Sequence, residues 1–145
     1  MAINVVEFSE LEEKLRKTHK SPSEYLAPKS GRAYVITITR DNCPACKKQK
    51  PKLDKLAKLL VEKHGDKVVF NRIHIKYSSD SVEESLRSKD LLKHYFYPTN
   101  LILFRTRDKG AVEYYRNAAP TMNELKRNVE RAVETAVMLA KEADE

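Results

Sequence analysis

Two cysteines, Cys43 and Cys46, are the only thiols in a chain of 145 residues, and they stand in the stretch Asp41-Asn42-Cys43-Pro44-Ala45-Cys46-Lys47. Two intervening residues at a helix start let a pair of cysteines approach within disulfide range. The chemistry on offer is thiol–disulfide exchange, in which one thiolate attacks and a second thiol resolves the mixed disulfide. Structural zinc needs four ligands, and His19, His64, His74 and His94 lie at spacings unlike those of a zinc finger. No metal is expected, and each histidine reads as an ordinary surface or half-buried residue.

The flanking elements place the pair. Ala33 to Thr39 is rich in β-branched and aromatic residues, which favours a buried strand. After the cysteines Leu53, Leu56, Ala57 and Leu60 recur at helical spacing with lysines between them, predicting an amphipathic helix to about Lys63. Cys43 then sits at a helix N-terminus, where unpaired N–H groups and the positive dipole end stabilise a thiolate. Pro44 suits the first helical position, because its missing N–H would have no partner there. Lys47, Lys48 and Lys50 add positive potential, so the Cys43 pKa is expected below the free value of about 8.5.

Around this unit the pattern reads as strand at Ile3–Phe8, then a helix opened by a Ser9–Glu12 capping box and ended before Ser21-Pro22. A polar loop to Gly31 holds one turn near Tyr25. A strand is expected from Lys67 to Ile75, and a helix capped by Asp80 or Ser81 that carries Val82, Leu86, Leu91 and Leu92 and ends near Tyr95. Asn100–Arg105 and Ala111–Arg116 read as a hairpin. A Thr121–Glu124 capping box opens a last helix with Leu125, Val129, Ala132, Val133 and Ala136 inward, fraying over 142–145. The order βα-βα-βα-ββα implies an α/β fold: one central mixed five-stranded sheet, helices on both faces, one domain over 1–145.

Composition narrows the function classes. No apolar run approaches the roughly 18 residues of a membrane span, and the N-terminus lacks the features of a signal peptide. No membrane association is expected, and the cytoplasm is the expected compartment. Two cysteines are too few for a disulfide-stapled secreted scaffold. The formal charge of +7 permits acidic or nucleic-acid partners without establishing either. Nucleic acid is not expected, because no base-reading motif or aromatic platform accompanies the lysines.

The order of elements, together with Cys43-Pro44-Ala45-Cys46, Pro51 in the following helix and Pro98 in Tyr97-Pro98-Thr99, resembles the thioredoxin superfamily over nearly the whole chain. The resemblance implies a thioredoxin-like fold, with Pro98 as the cis-proline opposite the cysteines. The chain departs from the superfamily's common pattern in several places. Asn42 stands where a tryptophan is usual, Thr37 replaces the buried acid six residues before the first cysteine, and Arg72 replaces a lysine on the neighbouring strand. Pro-Ala between the cysteines is closer to glutaredoxins, yet the Gly-Gly after their cis-proline is missing.

By the same resemblance the chain is expected to be a protein thiol–disulfide oxidoreductase in electron transport, with Cys43 as nucleophile and Cys46 as resolving thiol. Asn42, Pro44, Tyr97 and Pro98 would contact the substrate chain, with Tyr97 either narrowing access or covering the core edge. Thr37 and Lys47 would tune the site. The cofactor is the chain's own Cys43–Cys46 disulfide. Protein disulfides or thiols are the implied substrates, a reductase of the thioredoxin type the implied recycling partner, and a monomer the expected state. The competing expectation is an adaptor that holds an acidic protein or nucleic acid through the basic helix, with little redox activity.

Overall fold

A computed structural model describes residues 2–144, excluding the side chains of residues 143 and 144. The elements are β1 (Ile3–Glu7), α1 (Phe8–Thr18), α2 (Pro22–Leu26), β2 (Ala33–Arg40), α3 (Pro44–His64), β3 (Val68–Ile75), α4 (Glu83–Leu92), β4 (Thr99–Arg105), β5 (Ala111–Asn117) and α5 (Met122–Asp144). One sheet has the order β1-β3-β2-β4-β5, with β1–β3 and β2–β3 parallel and β2–β4 and β4–β5 antiparallel. The expected α/β architecture is present, with α2 where one turn near Tyr25 is expected and a short 3-10 turn at Gly65–Lys67 after α3.

β2 is central and covered on both faces, so its residues Ala33 to Thr39 are all buried and read as a continuous apolar and β-branched run. Val35 faces the core formed with Leu53, Leu56 and Leu60 of α3 and Leu125, Val129 and Ala136 of α5. Ile36 and Ile38 face the other core, with Phe8, Leu11 and Leu15 of α1, Leu26 of α2 and Leu92 of α4. The two helical layers thus follow from the alternation of β2 side chains across the sheet. No helix among the described residues is long and apolar enough to cross a membrane.

Three local expectations are corrected. The Ser9–Glu12 capping box does not form: the helix starts at Phe8, which is fully buried, and Glu7 is its uncapped N-cap. Glu12 is drawn instead to Arg87 of α4, whose Nε and Nη2 donate to it at 2.9 and 3.1 Å. Nor do Asp80 or Ser81 cap α4, which starts at Glu83 after Val82 and stops at Leu92 rather than near Tyr95. Its inward side chains are Ser85, Ser88 and Leu92, while Val82 and Leu86 are exposed. The last helix runs through Asp144, and of the segment 142–145 expected to fray, Glu145 lies outside the described residues. Thr121 does accept the Glu124 N–H at 3.1 Å, but the Glu124 carboxylate turns to Tyr115 Oη and Asn117 Nδ2 at 2.8 and 2.9 Å rather than back to the cap.

Candidate active site

β2 delivers the chain to the edge of the core, and the residues after it turn the chain into α3. Asn42 takes a left-handed backbone conformation, φ 56°, which asparagine tolerates better than most side chains. Cys43 is the N-cap of α3 and Pro44 its first helical residue, the position where a proline loses nothing. Cys43 Sγ accepts the Cys46 N–H at 3.2 Å, so the sulfur fills the capping role that a serine or aspartate oxygen plays elsewhere. The two cysteines are joined as a disulfide with Cα atoms 5.3 Å apart, and both are buried. Pro51 lies within α3 and cannot donate to the Lys47 carbonyl.

The turn before Cys43 is held from several sides. Arg40 Nη1 donates to the carbonyls of Asp41 and Asn42 at 2.9 and 3.0 Å. Its guanidinium carbon lies 3.9 Å from the centre of the Tyr77 ring and 5.4 Å from that of Tyr97. Asn42 Nδ2 donates to the Tyr77 carbonyl at 3.0 Å, and Asp41 Oδ2 accepts the Tyr77 N–H at 3.2 Å. Asp41 Oδ1 pairs with His74 Nε2 at 2.7 Å. That hydrogen bond is the chief reason the Asp41 carboxyl lies below its ordinary range.

Across a groove from Ala45, the Tyr97–Pro98 peptide bond is cis, Pro98 is buried, and Thr99 Oγ1 closes the loop on the Phe96 carbonyl at 2.6 Å. Pro98 forms one wall of a groove of about 220 Å³ with Ala45, Lys48, Lys52, Ala119 and Met122. Beneath it lies a neutral polar layer. Thr37 Oγ1 donates to Asn100 Oδ1 at 3.0 Å, and the amides of Asn100 and Gln49 exchange hydrogen bonds at 3.0 and 3.2 Å. Among the described residues no carboxylate belongs to this layer.

Tyr97 does not stand free over the groove. Its hydroxyl is 2.8 Å from Ser85 Oγ and 3.1 Å from Ser88 Oγ, and its ring packs edge-on against His94. Ser88 donates to the Ser85 carbonyl at 2.8 Å, so it must accept from His94 Nε2 at 3.0 Å, and this assigns the His94 proton to Nε2. His94 Nδ1 is left without an aligned partner. Burial pushes the His94 pKa down to about 4. His94 is therefore neither a surface nor a half-buried residue but a fully enclosed one. The aromatic side chains this loop exposes are its neighbours Tyr95 and Phe96.

Of the residues singled out by sequence, Cys43, Pro44 and Cys46 form the start of α3, Pro98 shares a groove with Ala45, and Thr37 reaches α3 through Asn100 and Gln49. Asn42 and Tyr97 spend their side chains on the scaffold, and Lys47 is exposed on α3. Arg40, Asp41, His74 and the Gln49–Asn100 pair were missed. The available signal was register: in parallel pairing Glu7 and Thr39 fall opposite His74, so the ends of β1, β2 and β3 meet.

No protein-family model matches the sequence, and no curated protein matches it. Solved structures do. Spinach chloroplast thioredoxin f in its short form aligns over 90% of this chain and 92% of its own, at 17% identity and TM-score 0.56. Fasciola hepatica thioredoxin aligns over 89% and 98%, at 18% identity and TM-score 0.53. A chain from the complex of ferredoxin:thioredoxin reductase with thioredoxin f2 aligns over 90% and 94%, at 17% identity and TM-score 0.53. Identities this low speak to architecture alone, and by that architecture the chain has the thioredoxin fold.

Proposed function

We propose that the protein is a thiol–disulfide oxidoreductase acting on protein disulfides. The observation that carries this reading is the position of Cys43 Sγ: it caps α3, accepts the Cys46 N–H and lies within bonding distance of a second sulfur. In the reduced protein the same N–H and the helix N-terminus stabilise a Cys43 thiolate.

The Cys43 thiolate attacks one sulfur of a substrate disulfide, forming a mixed disulfide and releasing the other substrate sulfur as a thiolate. Cys46, once deprotonated, attacks Cys43 Sγ, and the second substrate sulfur leaves. Two electrons have passed to the substrate, and Cys43–Cys46 is the oxidised product. The Cys46 proton has no carboxylate to go to in the Thr37–Asn100–Gln49 layer, so it exchanges with water or a group on the substrate. This favours slower exchange than a site with a buried acid. The Pro98 groove takes the extended substrate segment, and Lys48 and Lys52 on its rim favour an acidic one. A dithiol-donating reductase regenerates the thiols. The thioredoxin f2 of similar fold is crystallised with ferredoxin:thioredoxin reductase, which supports a reductase as partner.

Equilibration with glutathione redox buffers tests the reading. A reversible two-electron couple is expected, with about −270 mV marking a reductant and about −180 to −120 mV an isomerase or oxidant. If no reversible disulfide formed at any poise, the redox reading would fall and the adaptor would replace it.

A further inference from the structure

His74 is placed between two carboxylates that belong to different strand ends. Its Nδ1 is 2.9 Å from Glu7 Oε2 at the end of β1, and its Nε2 is 2.7 Å from Asp41 Oδ1, two residues before Cys43. An imidazole whose two nitrogens both face carboxylates satisfies both only as imidazolium, because the neutral ring has one N–H. From this arrangement we infer that the Glu7–His74–Asp41 bridge is a proton-dependent positioning device for the Cys43 turn. It rests on the reading of Cys43 as the attacking thiol.

The surroundings support a titration within the working range. Burial pulls the His74 pKa down, but the hydrogen bonds to Glu7 and Asp41 outweigh it and leave the pKa raised above 6.5. The charged neighbours are few. Two residues back on β3, Arg72 pairs with Asp54 of α3 at 3.2 Å, and Lys50 of α3 pairs with the same Asp54 at 3.1 Å, so one carboxylate offsets half of this pair's charge and a net +1 remains on that side of the ring. Lys76, just beyond β3, is a further cation here and helps to hold the Asp41 carboxyl low. The ring is 28% exposed and its partners 38% and 44%, so protons reach it without unfolding.

Below the His74 pKa the imidazolium ties both strand ends together and Asp41 is held through both oxygens, by His74 and by the Tyr77 N–H. Above it, one ring nitrogen presents a lone pair to a carboxylate less than 3 Å away, and one link opens. The turn Asp41–Asn42 then loses part of its tethering, and the thiolate of Cys43 becomes less well placed for attack. No atom of the bridge touches the reacting sulfur, so its members are positioning residues.

The test uses the Cys46→Ser protein, in which only Cys43 can react, and measures its alkylation by iodoacetamide across pH beside an NMR titration of the His74 ring. Reactivity per thiolate is expected to fall several-fold as pH passes the His74 titration point. Glu7→Gln separates this from simple structural damage. The amide introduced by that substitution can donate to Nδ1 of the neutral ring, so the Asp41 link survives deprotonation. The variant should show a lower His74 pKa, keep the low-pH reactivity, and lose the step. His74→Phe should show the high-pH reactivity throughout. A step that persists unchanged in Glu7→Gln and His74→Phe, or a parent protein with no step at the His74 titration point, would overturn the inference. The alkylation readout does not depend on disulfide turnover, so its failure and that of the redox reading are separable.

Discussion

Thr37 Oγ1 donates a 3.0 Å hydrogen bond to Asn100 Oδ1, and both residues are shut away from solvent. On the proposed function, this hydroxyl–amide pair leaves the proton of Cys46 without an acid to receive it in the Thr37–Asn100 layer. Replacing Thr37 with Asp tests this directly. The new carboxylate would face the Asn100 oxygen in a buried site, so the variant should be less stable by several kcal/mol at neutral pH and recover in acid as the carboxyl is protonated. In exchange it should add an inflection to the pH profile of disulfide exchange. A profile that superimposes on that of the parent protein would mean that Cys46 does not pass its proton through this layer.

Two histidines set the pH range of stability, with opposite signs. His94 is held neutral, with its pKa lowered by burial to about 4. As pH falls from about 6.5 toward 4, the unfolded chain takes up a proton that the folded chain refuses, and stability drops by at most on the order of 3 kcal/mol. The His74 pKa is raised, so its contribution is complete below 6.5 and is lost as pH rises through the folded value. Melting temperatures should therefore fall on both sides of neutrality. The acid-side fall should shrink in His94→Gln, and the alkaline-side fall in His74→Gln.

Arg40 joins three segments: it donates to the carbonyls of Asp41 and Asn42 and lies against the rings of Tyr77 and Tyr97. Lysine keeps the charge but not the planar donor fork or the stacking. Arg40→Lys should lower stability by about 1–2 kcal/mol, near 4 °C of melting temperature per kcal/mol, and slow disulfide exchange. A lysine variant with unaltered exchange kinetics would reduce Arg40 to a stabilising role.

Ser88 accepts from His94 Nε2 and lies 3.1 Å from the Tyr97 hydroxyl. Ser88→Ala leaves the buried His94 Nε2–H without a partner, while the Tyr97 hydroxyl keeps Ser85 Oγ, and should cost about 1–3 kcal/mol. Because Tyr97 precedes Pro98, exchange rates should fall as well, while Leu86→Ala on the exposed side of the same helix should change neither stability nor rate appreciably.

Lys48 and Lys52 flank the Pro98 groove, and among the described residues no Asp or Glu lines it. Reversing both to Glu should invert preference between model disulfide peptides that carry acidic or basic residues beside the cysteine. The preference of the parent protein for the acidic peptide should weaken as salt rises. Equal rates on both peptides at low salt would show that the groove does not read charge.

The dithiol was legible because its signals are local. A β-branched run ending at Cys-x-x-Cys, proline at the first helical position and leucines at helical spacing each depend on near neighbours, and so does the succession of strands and helices that sets the sheet. Pro98 was legible as the match to a motif. The polar network around the site was not, because it is made of contacts between residues distant in sequence. His74 meets Glu7 and Asp41 only once β1 and β2 lie parallel on either side of β3. Thr37 meets Asn100 only through the antiparallel pairing of β2 with β4. The same cause explains the misplaced start of α4: Ser85 and Ser88 look like surface residues until His94 and Tyr97 fold back onto them, and Leu86 is left in solvent because the core beside that helix is partly polar. Local periodicity and capping chemistry determined where the sulfurs sit, whereas strand register decided which groups hold the turn that presents them.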